Sequence, residues 1–177
     1  MKRYRMFLLA VAGALAIAGC SDKSPSTNIN DPAAQSRLAA IDEDRLVRNA
    51  LEIVPGSVSS VTTNDGETPL LSVTVAPASG GNVIVTFDAV NNVIAAVSGD
   101  AATHTASVAP GPYFITLTLA VEIAQREVRG DVLGWRFERN ADDNAWIYRI
   151  EIRDSAGLRH DVALNAISKS IIAASIL

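Results

Sequence analysis

The sequence predicts an α+β protein built from two tandem two-layer units, each one helix packed on a roughly four-stranded antiparallel sheet. Three observations predict it. Apolar and polar residues alternate through Leu71–Ala76, Asn82–Phe87, Trp146–Arg153 and His160–Leu164, the pattern of strands with one covered face. Each group of strands follows a stretch with apolar residues at helical spacing, Leu46 to Val54 and Ala120 to Val128. The chain also resembles itself. At a shift of 77, Leu71, Val73 and Val75 fall on Tyr148, Ile150 and Ile152, Gly80 on Gly157, Asp88 on Asn165 and Ile94 on Ile171. Self-similarity at a fixed offset is the sequence mark of a structural repeat.

Residues 1–20 read as a lipoprotein signal peptide. Lys2, Arg3 and Arg5 form a basic start, and the apolar run Met6–Ile17 is too short to span a bilayer. Leu15-Ala16-Ile17-Ala18-Gly19-Cys20 resembles a bacterial lipobox, which makes Cys20 the expected lipidation site; an ordinary signal peptide with an incidental cysteine is the alternative. Cys20 is the one cysteine in the chain, so an internal disulfide and a cysteine-based zinc cluster are excluded. Several acyl chains, at about 0.8 kcal/mol per buried methylene, hold a protein on a membrane more firmly than one. Ser21 follows the cysteine, which by resemblance to lipoprotein sorting points to the outer membrane, facing the periplasm.

Residues 21–41 are rich in Ser, Asn, Pro and Ala without a period and read as a tether. The first unit spans 42–98. Asp42 or Asp44 caps its helix, Leu46, Val47, Ala50, Leu51 and Val54 form the apolar stripe, and Pro55-Gly56 ends it. Val58 and Val61 begin a strand, and Asn64-Asp65-Gly66 is a tight turn. Three further strands follow, with Ser79-Gly80-Gly81 and Asp88–Asn92 as their turns. Residues 99–115, with Pro110-Gly111-Pro112, form the linker, and 116–177 the second unit, its helix capped by Thr116 or Thr118. At a shift of 74, Ala120, Val121, Ala124 and Val128 take the places of Leu46, Val47, Ala50 and Val54, and Gly130 that of Gly56. The three extra residues fall around Asn140–Asn144, in a hairpin loop where insertions are tolerated. Units of this size have marginal cores alone, so the two are expected to pack on one another.

Loss of residues 1–20 leaves 12 basic against 19 acidic residues, a net of −7. Nucleic-acid binding rests on a basic footprint, so that class is set aside. Hydrolytic chemistry also lacks its parts. No Gly-x-Ser-x-Gly elbow occurs, His104 lies in the linker, and His160 shares the parity of Val162 and Leu164, a structural position. Two separated histidines make no transition-metal site, and Gly80-Gly81 lies between strands rather than before a helix, so no phosphate loop is present. No catalytic residue, metal or cofactor is expected.

The combination of a helix with a central alanine, a Gly stop, an apolar alternating strand, a Gly turn and a strand into Asp-Ala-x-x-Asn-x-Ile resembles the PepSY domain. The first unit carries it as Ala50, Pro55-Gly56, Val73, Val75, Gly80 and Asp88-Ala89-Val90-Asn91-Asn92-Val93-Ile94. The second carries Ala124, Gly130, Tyr148, Ile150, Ile152, Gly157 and Asn165-Ala166. The second unit departs in having Asn165 for the usual Asp, and Asn92 and Lys169 stand where the final turn has Gly. The resemblance implies a two-layer fold similar to beta-lactamase inhibitor-like proteins and a binding or inhibitory role, often towards envelope peptidases. It implies no catalytic residues, and Asp88 reads as a turn former.

Parity places Arg136, Glu138, Arg149, Glu151, Arg153, Arg159 and Asp161 on the side away from the apolar set. A solvated face of cross-strand ion pairs is the plain explanation. The functional one is an open sheet face that docks a protein partner, with Arg136, Arg149, Glu151, Arg153 and Arg159 as candidate contacts. With the peptidase taken from what the resemblance implies, the expected function is that of a membrane-anchored periplasmic binding module, restraining an envelope peptidase through its sheet surface. The alternative is a non-inhibitory scaffold, or a peptide sensor using a strand edge.

Overall fold

The computed structural model describes residues 42–177 apart from Asp65, Glu67 and Ala141; the signal peptide, Cys20 and the tether lie outside the described residues. Helix α1 spans Glu43–Ile53 and is capped by Asp42, whose carboxylate accepts the backbone N–H of Arg45 at 3.0 Å. Glu43 and Asp44 sit in its first turn, at the positive end of the helix. Its buried side is Leu46, Ala50, Ile53 and Val54. The helix stops where Val54 turns extended, its N–H still bonded to the Ala50 carbonyl, and Pro55 has no N–H to continue the ladder.

Four strands follow: β1 (Gly56–Asn64), β2 (Leu70–Pro77), β3 (Val83–Asp88) and β4 (Val93–Asp100). A short 3-10 turn, Ala101–Thr103, leads towards helix α2 (Leu117–Glu127), which Thr116 caps. Then come β5 (Gly130–Arg139), β6 (Trp146–Asp154), β7 (Arg159–Asn165) and β8 (Ile171–Ile176). The α+β class and the antiparallel pairing are as the sequence predicts. The number of sheets is not: all eight strands form one antiparallel sheet in chain order. The join is β4 to β5, in register from Ala96↔Glu138 to Asp100↔Gly134. Strand β4 continues through Gly99 and Asp100, residues that read as linker from sequence, and its outer edge is satisfied by β5 rather than by water.

One face of this sheet carries the core. Val73, Val85, Val97, Phe137, Tyr148 and Leu164 oppose one another in sequence along a row that crosses six strands. All six are buried, and both helices contribute to the same apolar cluster through Leu46, Ala50, Ala120 and Ala124. The segment between the halves is part of this layer rather than a spacer. Ala106 and Val108 are buried in it. The Ala109 N–H bonds the Ile53 carbonyl at 3.0 Å, and the Leu117 N–H bonds the Val108 carbonyl at 3.2 Å. Residues read as a Pro-Gly linker thus close the gap between the two helices. Two buried polar groups fix that closure. The Tyr148 hydroxyl donates to the Ile115 carbonyl at 3.0 Å, and Trp135 Nε1–H donates to Thr103 Oγ1 at 3.0 Å.

The turn after β3 and the turn after β7 are built alike. Asp88 accepts the N–H groups of Val90 and Asn91, both at 3.0 Å; Asn165 accepts those of Ile167 and Ser168 at 2.9 and 2.8 Å. Either oxygen serves, which is why Asn can stand for Asp in this turn. Each turn then needs a left-handed residue, Asn92 at φ 55° and Lys169 at φ 68°. That conformation costs an L-residue roughly 1–2 kcal/mol, less for Asn than for Lys. Lys169→Gly is expected to raise stability by about 1 kcal/mol after the entropy of glycine is subtracted, read as a higher urea midpoint at an unchanged slope.

Candidate functional site

The face opposite the helices is open, and cross-strand register assembles its charges. Arg136 on β5 opposes Arg149 on β6, Glu151 on β6 opposes Asp161 on β7, and Arg153 opposes Arg159. Like charges directly opposite destabilise a sheet, and here they are resolved largely on the diagonal. Arg149 lies between two carboxylates, 3.2 Å from Glu138 and 2.6 Å from Asp161. Arg159 pairs with Glu151, Arg136 approaches Glu138 at 3.4 Å, and Arg153 approaches Asp131, directly across the ladder, at 3.4 Å. Ile147 and Ala163 share this face yet are buried, with Glu138 opposite the first and Arg149 opposite the second. The aliphatic stems of such charged side chains cover apolar surface while their heads stay wet.

All five candidate contact residues, Arg136, Arg149, Glu151, Arg153 and Arg159, therefore lie on this one face. Their parts differ. Arg149 holds two partly buried carboxylates and is a structural bridge, whereas Arg136, Arg153 and Arg159 are mainly exposed. Sequence parity marks the face but not the diagonal pairing, and it misses Asp131 because a bulge between Val132 and Gly134 shifts its register. Among the charges, and reaching to where β4 meets β5, lies a shallow cavity of about 740 Å³ whose lining includes Ile84, Ser98, Gly134, Arg136, Arg149 and Asp161.

A second concavity, about 820 Å³, lies on the helix side, lined by residues including Ile53, Phe87, Pro110, Arg139 and Trp146. Trp146 shares the core parity but is only half-buried. Its ring stacks on Phe137 at 4.6 Å between centroids, and the Arg139 guanidinium lies 4.8 Å over it. The charged residues lining this groove are Glu52 and Arg139. Among the described residues, no group of three or more His, Cys, Asp or Glu is placed to hold a metal.

His160 takes the structural role its parity suggests. It lies opposite Ile152, and its Nε2 is 2.8 Å from Oδ2 of Asp154, the last residue of β6. The hydrogen bond from His160, with backbone N–H groups of Leu158 and Ala156, holds the Asp154 carboxyl below the usual aspartate range. A lowered folded pKa means that the contribution to stability is full above the ordinary aspartate value near pH 4. It is lost as pH falls through the folded value. The stability gap between the native chain and Asp154→Asn is thus expected to be largest near neutral pH and to shrink below about pH 4, checked by urea midpoints across that range. Burial pushes the Tyr148 hydroxyl well above its ordinary value, so it stays a donor at every physiological pH.

Residues 114–174 match the family described as "PepSY: Peptidase propeptide and YPEB domain", a span that holds α2 and β5 to β7 and most of β8. No curated protein matches the chain. Two solved structures are similar to it. One is a candidate lipoprotein from Clostridium difficile 630, at 13% identity and a TM-score of 0.37, with 77% of this chain and 91% of that chain covered. The other is the YpmB protein from Bacillus subtilis, at 15% identity and a TM-score of 0.37, with 77% and 98% covered. Among the described residues, no helix is long and apolar enough to cross a membrane.

Proposed function

We propose that this chain is a lipid-anchored binding module of the cell envelope, made of two tandem PepSY-like units, that docks a protein partner on the open face of its sheet. Cys20 carries the anchor, residues 21–41 hold the fold off the membrane, and the outer membrane is the destination that Ser21 favours. The partner class is an envelope peptidase, restrained by occlusion and without bond chemistry. The observation that carries the reading is the face itself, where five candidate residues from three adjacent strands meet and three of them, Arg136, Arg149 and Glu151, line a cavity. The peptidase as target draws on the propeptide family matched at 114–174. The two-unit reading is supported by paired features at the sequence offsets of 74 and 77. Both helices have 11 residues. Bulges occur at Val58/Ser60 and Val132/Gly134, and again at Thr86/Phe87 and Ala163/Leu164.

The test is capture of partners from crosslinked, detergent-solubilised envelope by the lipidated protein. A peptidase should be recovered, its activity should fall on adding the soluble chain, and Arg136→Glu with Arg153→Glu should abolish capture. Capture unchanged by those reversals would remove the docking face from the proposal. A second reading, a scaffold or peptide sensor, is favoured by β1. This edge strand has nine residues, none of them charged, so its outer side offers an unguarded ladder to an extended peptide. Recovery of assembly or transport components without a peptidase would favour it.

A further inference from the structure

We infer that the partner segment received by the open face is acidic and extended, with carboxylates four residues apart; this rests on the docking reading above. The face is close to neutral by count, but its charges lie at different heights. The side chains of Arg136, Arg153 and Arg159 are 52–60% exposed, while those of Glu138, Glu151 and Asp161 are 19–28% exposed. Asp131, at the margin beside Arg153, is the exposed exception. An approaching surface therefore meets guanidinium groups first, with Glu138 and Glu151 set lower and already accepting hydrogen bonds from Arg136 and Arg159, and Asp161 accepting from Arg149. A guanidinium keeps spare donors after one such bond and takes a further carboxylate in a forked geometry. This patch sits on a mature chain with a net charge of −7, so it is a local attractor for negative groups on a protein that otherwise repels them.

Spacing defines the segment. Register makes two guanidinium pairs, Arg136 with Arg149 and Arg153 with Arg159. The members on β6 are four residues apart, about 13 Å along a strand. An extended polypeptide presents every second side chain to the same side, so its residues i and i+4 reach both pairs. The residue between them meets Glu151 and Asp161, which disfavours a third carboxylate there. A flat layer of anionic headgroups suits this surface less, because the face is recessed beside Arg136 by the cavity at Ser98 and Gly134.

The probe is a short synthetic peptide with two glutamates four residues apart among serines and alanines, titrated into the isotopically labelled full-length chain in neutral detergent. Amide shifts should be confined to β5, β6 and β7. Affinity should weaken with added salt, and by roughly three- to tenfold in Arg136→Ala with Arg159→Ala. The same composition with adjacent glutamates should bind more weakly, and a lysine counterpart not at all. Equal binding of the adjacent-glutamate peptide overturns the spacing, and binding of the lysine peptide overturns the charge. Shifts produced by phosphatidylglycerol vesicles but not by the peptide would assign the face to lipid and overturn the inference. If the peptide is silent while partner capture is still lost in Arg136→Glu with Arg153→Glu, the acidic segment falls and the docking reading stands. If the peptide is silent and capture persists, both fall.

Discussion

Replacing Gly130 or Gly99 with alanine is expected to destabilise the fold by about 2–3 kcal/mol, the upper part of the range for overpacking. At Gly130 an added Cβ would overlap the carbonyl oxygen of Arg153 and lie 2.7 Å from its carbon. That is backbone of the neighbouring strand, directly beside the pair Gly130↔Asp154, and it cannot rotate away. At Gly99 the Cβ would overlap Thr103 Oγ1 and lie 2.9 Å from the Trp135 ring. Thr103 is fully buried and accepts the Trp135 N–H, so moving it leaves a buried donor unpaired. Gly134→Ala is the control. Its nearest neighbour would be the Gly99 carbonyl oxygen at 3.5 Å, an ordinary contact, and the change should stay within about 0.5 kcal/mol. Urea midpoints of the three variants check the ranking; a Gly99 variant as stable as the Gly134 variant would show that the β4–β5 junction is loosely packed.

The second large effect is on cooperativity. The chain is expected to unfold in urea as one transition, and neither half alone to keep the stability it has in the whole. Parting β4 from β5 uncovers Val97, Trp135 and Phe137, all buried in the intact sheet. At about 1.5–3 kcal/mol per fully buried apolar side chain, that loss rivals the 5–15 kcal/mol by which whole domains are stable. The probes are already in place. Both tryptophans, Trp135 and Trp146, belong to the second half, so fluorescence reports on that half and on the β4–β5 junction, where Trp135 bonds Thr103, while far-ultraviolet circular dichroism reports on the whole. Coincident curves indicate one cooperative unit. A fluorescence transition displaced from the dichroism transition would mean that the β4–β5 ladder contributes little.

How much of this was legible from the residues depends on whether the cause is local. The alternation in β2, β3, β6 and β7 and the turn at Asp88 rest on neighbours a few positions away and stand where the sequence puts them, while the structure chooses Asp42 over Asp44 and Thr116 over Thr118 as caps and adds a matching turn at Asn165. The charged face was legible because strand parity is local too. Joining β4 to β5 was not. Ala96 and Glu138 are 42 residues apart, and nothing in the alternation of either strand says which edges will meet. Glycines and prolines misled for a related reason. Gly99 reads as the start of the linker, whereas it is a strand residue kept bare for the Thr103–Trp135 contact. Pro110 signals a turn in sequence, but it closes a helix layer that only the assembled sheet creates. The ion pairs escaped as well, since a diagonal partner depends on the register and the bulge at Val132/Gly134.

The unbroken ladder from β1 to β8 also sets a size. Strands lie about 4.8 Å apart, so eight of them span about 34 Å, whereas four would span about 14 Å. With strands of six to ten residues, the undivided open face offers roughly 800 Å², the area one partner contributes to a stable protein–protein interface of standard size. Half of the sheet would fall well short of it. Pairing β4 with β5 thus does more than complete a core: it more than doubles the width of sheet available to the proposed partner.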